Sequence, residues 1–145
     1  MAEQDMGMDA ARDWLVWDWE VGAVFRARAG EPTATQWQIL NLLKESGPLP
    51  LMAVAGRLAV TGATVARAVA AAAAHGWLVK DRDPHDRRLV WLRTTPSGEA
   101  ACQATAARVA VRLSEVAAMR PELRRGTSGP PHRGPAAGPG VAGLR

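Results

Sequence analysis

The sequence predicts a mainly α fold with a small β-wing: a winged helix–turn–helix lobe flanked by terminal helices that pair two copies of the chain. Three observations carry this. Asp83-Pro84-His85-Asp86-Arg87-Arg88, followed by Leu89 to Arg93 and closed by Thr95-Pro96-Ser97-Gly98, reads as a basic β-hairpin tip with Asp-Pro turn chemistry and an alternating return strand. Immediately upstream, Leu51 to His75 has the pattern of two short helices joined by a turn. Both ends of the ordered region carry long amphipathic helices, the first of them rich in tryptophan.

From about Asp9 to Ala29, Trp14, Trp17, Val21, Val24 and Phe25 follow helical spacing, with Asp9 as a cap and Gly30 as a stop. Trp14, Trp17 and Trp19 cannot all face one narrow stripe, so indole surface is left over for a second copy. Thr33-Ala34-Thr35-Gln36 fits a capping box, and Trp37, Leu40 and Leu43 mark the apolar stripe of a second helix that ends at Gly47-Pro48. Leu51, Val54, Ala55 and Leu58 give a short third helix.

Thr61 caps a fourth helix, about 61–75, that runs through Val65 and Val69 and stops at Gly76. Ala66, Ala68 and Ala70 to Ala74 make its formation easy but leave it few side chains for contacts. The wing is expected at about 77–94, with strands at Leu78-Val79 and Leu89 to Arg93. Thr95, with Pro96 at the first helical position, opens a fifth helix carrying Ala100, Val109, Leu113 and Val116, which fades near Pro121. The organisation expected is a pairing helix over 1–30, a winged lobe over 31–95, a second pairing helix over 96–123, and a Gly/Pro-rich tail over 124–145. The tail has too few apolar residues to offset its ordering entropy and is expected to be disordered.

At 145 residues the chain supports one modest core. Its net charge of +4 is unevenly placed: Arg57, Arg67, Lys80, Arg82, Arg87, Arg88 and Arg93 face only Asp81, Asp83 and Asp86 between positions 57 and 93. A surplus gathered around a turn suits a polyanion, double-stranded DNA above all. Cys102 is the single cysteine, so there is no intramolecular disulfide, and no Cys/His spacing suggests zinc. No cofactor is expected. An enzyme is not expected either, since His75, His85 and His132 are scattered and no paired carboxylates, nucleophile–base set or phosphate-binding glycine loop occurs. Met1 to Met8 lack an apolar export signal and no stretch approaches a membrane span, which points to a cytoplasmic, nucleoid-associated protein.

Over roughly 33–100 the chain resembles the MarR family of winged helix–turn–helix transcription regulators. The residues that carry the resemblance are Gln36-Trp37-x-Ile39-Leu40, Leu51 to Leu58, Val60-Thr61-x-Ala63-Thr64-Val65-x-Arg67, Gly76-Trp77-Leu78-Val79, Asp83-Pro84-x-Asp86-Arg87-Arg88 and Leu92-x-x-Thr95-x-x-Gly98. It implies a homodimer that places its two fourth helices in successive major grooves of a palindromic operator. It also implies repression, relieved by a small aromatic or lipophilic effector bound between the pairing helices and the winged lobe, near Trp14, Trp17 and Trp37.

The residues expected at the DNA are Thr61, Gly62, Ala63, Thr64 and Arg67 on the fourth helix and Arg82, His85, Asp86, Arg87 and Arg88 on the wing. Threonine methyls and Ala63 suit thymine methyls, and Arg67 suits guanine or a phosphate. The resemblance also implies, through the family pattern of an Asp and an Arg separated by one residue, that Asp86 orients Arg88 for a narrow minor groove, whose negative potential favours an arginine.

Three features depart from the family pattern. Ala68 and Ala72 replace larger apolar residues, Ala70 and Ala71 replace polar or basic ones, and the Gly/Pro tail cannot supply a sixth helix. These departures support an alternative reading: a winged-helix interaction or dimerisation module that has lost specific DNA binding. Redox sensing through Cys102 is disfavoured, because the family's peroxide sensors carry the cysteine on the first helix.

Overall fold

Capping chemistry sets where the helices begin. In the computed structural model, which describes residues 2–26 and 29–121, the Thr33 hydroxyl accepts from the Gln36 amide (3.3 Å) while the Gln36 side chain accepts from the Thr33 amide (2.9 Å). This reciprocal box opens α2 (Ala34–Ser46) and buries Ile39, Leu40 and Leu43 on one stripe. Gly47, at φ +78°, ends the helix and returns its N–H to the Leu43 carbonyl.

The chain then makes a two-residue strand, β1 (Leu49–Pro50), and enters α3 (Leu51–Leu58). Ala59 stops α3 in the left-handed region (φ +54°), and α4 (Gly62–Ala74) departs at a bend of 115°. Two helices at that angle across a three-residue link form a helix–turn–helix. Val54, Val65 and Val69 are fully buried where α3 and α4 meet α2.

β2 (Leu78–Arg82) and β3 (Val90–Thr94) form the wing, and β3 is central in an antiparallel sheet of order β1-β3-β2. Leu78 pairs with Thr94 and Arg82 with Val90. Side chains alternate between faces, so Leu78, Lys80 and Arg82 share the face of the fully buried Leu92, while Asp81 and Trp91 share the other. Thr95 caps α5 (Pro96–Met119) by accepting from the Gly98 amide at 3.0 Å. α1 (Ala2–Phe25) packs against α5, where Arg112 binds Glu20 and Arg108 pairs with Glu31 at 2.6 Å.

Trp37 joins the lobe to both long helices. Its ring lies 5.6 Å from that of Phe25 and its indole N–H donates to the Cys102 carbonyl (3.2 Å). The elements depart from the sequence reading in three places. α1 ends at Phe25 instead of Ala29 and starts at Ala2, β2 runs on through Lys80-Asp81-Arg82, and β1 was not anticipated. The tail at 124–145 lies outside the described residues. Among the described residues no single helix is long and apolar enough to cross a membrane.

Candidate nucleic-acid interface

The start of α4 is built by threonine. The Thr61 hydroxyl accepts from the Thr64 amide at 3.1 Å and lies 2.9 Å from the Thr64 hydroxyl, so the two side chains hold one another across the first turn. Gly62 sits under Met52 of α3, whose sulfur would lie 2.9 Å from any β-carbon added there. With Val65, Val69 and Ala72 turned into the core, the outward stripe is Ala63, Thr64, Arg67, Ala70 and Ala71. That face is one cation and one hydroxyl set among methyl groups.

The wing tip is organised by Asp83, which the sequence reading used only as turn chemistry. One of its carboxylate oxygens accepts from the amides of His85 (2.8 Å) and Asp86 (2.9 Å), and the other accepts from the Trp91 indole (3.0 Å). These bonds hold the Asp83 carboxyl below the usual aspartate range, the indole bond contributing most. Asp86 in turn accepts from the Arg88 amide (3.0 Å) and Nε (3.3 Å), so the expected pairing of Asp86 with Arg88 is present. Arg88 remains 92% exposed. Arg67, Arg82 and Arg87 are exposed and have no ion-pair partner among the described residues.

The structure brings the helix and the wing together. Ala66 and Val69 of α4, Leu51 of α3, and Lys80, Arg82 and Val90 of the wing line one open groove of about 360 Å³. Lys80 counts in the basic surplus of the sequence but was not among the residues expected at the DNA; the period-two alternation with Arg82 was the available signal. His85 is exposed at the tip, its backbone tied to Asp83.

The three tryptophans expected at an effector site are half-buried. The structure shows Trp37 against Phe25 and Cys102. A separate cavity of about 480 Å³ lies between α1 and α5, lined by Ala23, Val24, Ala107, Arg108, Val111, Arg112 and Glu115, and none of the three tryptophans lines it. Cys102 itself is buried, its thiol donating to the Asn41 side chain at 2.9 Å, and burial pushes that thiol up.

A model of the MarR family matches residues 32–89, the stretch from the cap of α2 to the end of the wing tip. No curated protein matches the chain. Among solved structures, the wild-type MarR of E. coli in its apo form superposes with a TM-score of 0.65 at 19% identity, covering 82% of this chain and 93% of that one. BpsR of Bordetella bronchiseptica, described for regulation of its DNA binding by 6-hydroxynicotinic acid, gives 0.62 at 24% identity over 83% and 97%. The PcaV transcriptional regulator of Streptomyces coelicolor, in complex with its natural ligand, gives 0.61 at 26% over 79% and 86%. The winged lobe thus matches the MarR family model over residues 32–89, and the fold shared with these structures extends through the long flanking helices.

Proposed function

We propose that the chain acts as a homodimeric, sequence-specific DNA-binding repressor that reads a palindromic operator with α4 in the major groove and the wing in the minor groove. The observation that carries this reading is an open groove between α4 and the wing lined by Lys80 and Arg82, with Arg67 exposed on the outward stripe of α4 and Arg87 and the Asp86-bonded Arg88 exposed at the wing tip. Thr61, Gly62, Ala63 and Thr64 then meet base edges or phosphates at the first turn of α4, and His85 sits at the backbone beside the tip.

Pairing of two copies is assigned to α1 and α5. Leu15 and Trp19 on α1 and Val111 and Met119 on α5 are exposed large apolar side chains, each more than half accessible, which a partner copy would cover. On this reading residues 1–30 and 96–123 are the pairing helices and 31–95 is the DNA-binding unit. The protein works in the cytoplasm on the nucleoid, and it needs no cofactor and catalyses no reaction. Relief by a small aromatic or lipophilic effector near Trp14, Trp17 and Trp37 is supported by the ligand-linked relatives BpsR and PcaV.

One observation favours a second reading, that of an interaction module without operator binding: apart from Thr64 and Arg67, the outward stripe of α4 is alanine. Selection of the protein against random double-stranded DNA separates the two. A recovered palindrome with half-sites about one helical turn apart, ~34–36 Å, is the result expected of a dimeric reader. An interaction module enriches no motif.

A further inference from the structure

The wing tip contains a chain of hydrogen bonds that starts far from the arginines it serves. Trp91 stands on β3, opposite Asp81 and on the sheet face turned away from α4. Its indole N–H reaches Asp83 Oδ2 at 3.0 Å, Asp83 Oδ1 takes the amides of His85 and Asp86, and Asp86 Oδ1 takes the amide and Nε of Arg88. Two backbone bonds close the same loop, Asp83 N–H to the Leu89 carbonyl (2.9 Å) and Leu89 N–H to the Asp86 carbonyl (3.0 Å).

We propose that Trp91 and Asp83 are positioning residues for DNA reading: an indole–carboxylate strut that fixes the wing tip so that Arg88 and Arg87 are presented in one pose. The inference rests on the DNA-reading function proposed above and deepens it.

Among the described residues, Asp83 is the one side chain that bonds both to the sheet, through Trp91, and to the amides of the tip, through His85 and Asp86. Without the indole, the carboxylate keeps its amide partners but loses its anchor, and tip and sheet can move apart. An arginine entering a narrow groove from an unanchored loop has to lose that freedom on binding. The strut restricts it in advance, and a net effect the size of one ordinary, partly exposed hydrogen bond changes an equilibrium by about three- to tenfold. The indole does so without touching DNA in its own right, because it lies on the outer face of the wing.

The test is a cycle of full-length variants, wild type, Trp91→Phe, Arg88→Ala and the pair, titrated on the duplex recovered by random-pool selection and on a scrambled duplex. Trp91→Phe keeps an aromatic ring and removes only the donor. The expected result is a loss of about three- to tenfold for Trp91→Phe in the wild-type background and less than about twofold in the Arg88→Ala background. Amide exchange at His85 and Asp86 is expected to speed up in free Trp91→Phe while α4 amides are unchanged. Should Trp91→Phe fail to fold, Asp83→Asn replaces it in the same cycle, since its one carbonyl oxygen cannot serve both the indole and the two tip amides and its NH2 accepts from neither.

Equal losses in both backgrounds, or unchanged exchange at His85 and Asp86, overturn the strut. Failure of Arg88→Ala to weaken binding overturns instead the DNA-reading role of the wing, and the strut's function with it.

Discussion

Gly98 of α5 lies directly against the carbonyl of Trp77, at the point where α4 turns into the wing: a β-carbon at Gly98 would overlap that oxygen and come within 3.0 Å of the Thr94 methyl. Beside this contact the Thr95 hydroxyl donates to the Gly76 carbonyl at 2.5 Å and the Thr95 amide to the Trp77 carbonyl at 3.0 Å. The start of the long helix assigned to pairing is thereby fixed to the end of the helix assigned to DNA reading. A change in the angle of α5 has a short, stiff path to α4. Replacing Gly98 by alanine forces backbone apart at this junction, and a loss of about 3 kcal/mol or more in unfolding free energy is expected by chemical denaturation. A change under about 1 kcal/mol would show that the junction yields.

Ala59 gives the opposite case. It holds φ +54° at the end of α3 and is the sole non-glycine residue at positive φ among those described. Left-handed geometry disfavours a β-carbon by roughly 1–2 kcal/mol, partly offset by the greater freedom glycine has when unfolded. Ala59→Gly is therefore expected to stabilise the lobe by about 0.5–1 kcal/mol, measurable as a raised denaturation midpoint with unchanged slope.

Much of this junction and turn was legible in the sequence, because it is written in short-range chemistry. Thr33 with Gln36, Thr61 before α4, and Thr95 with Pro96 all name their helix starts within four residues, while the pairing of Asp86 with Arg88 came from the family resemblance. What escaped the reading is non-local. β1 is two residues whose only strand signal is pairing with Trp91 and Leu92, some forty positions away. Lys80, Asp81 and Arg82 lack an apolar alternation because the wing extends past the core, and only the register with Val90 to Leu92 shows them to be strand. The Asp83–Trp91 bond likewise depends on a hairpin register that local spacing does not give.

Arg67 provides a reading of the α4 contact. If it neutralises one phosphate per lobe, Arg67→Ala removes two contacts from a dimer and flattens the dependence of log affinity on log salt by ~1.8. If it reads guanine instead, the salt slope changes less and binding relaxes at one base position, with about 1–3 kcal/mol of discrimination lost per half-site. Titration of the variant across salt concentrations on matched and point-substituted duplexes distinguishes the two. No effect on either quantity would remove Arg67 from the interface.

The carboxyl of Asp83 gives a pH signature. It is held below the usual aspartate range by Trp91, His85 and Asp86, so the ionised form is the one the folded tip favours. The order it contributes is complete above the ordinary carboxylate range and is lost only as pH falls through the depressed folded value. Indole fluorescence or amide exchange at the tip is expected to stay constant from neutral pH down through pH 5 and to change only in more acidic solution. A transition near neutrality would assign control of the tip to another group.

Cys102 is expected to be inert. The residue is 2% exposed, its thiol donates to Asn41, and burial raises the thiol above its ordinary value. Labelling of the native protein by a small thiol reagent at neutral pH should be far slower than labelling of the denatured chain. Rapid native labelling would reopen a redox role.

The most direct measurement of the central claim is the affinity and stoichiometry of the full chain on its selected palindrome and on a scrambled duplex, each at two salt concentrations. Two chains per palindrome, tighter binding to the palindrome than to the scrambled duplex at both salts, and a steep salt dependence are expected. Equal, weak, salt-sensitive binding to both duplexes, or one chain bound without cooperativity, would contradict the claim.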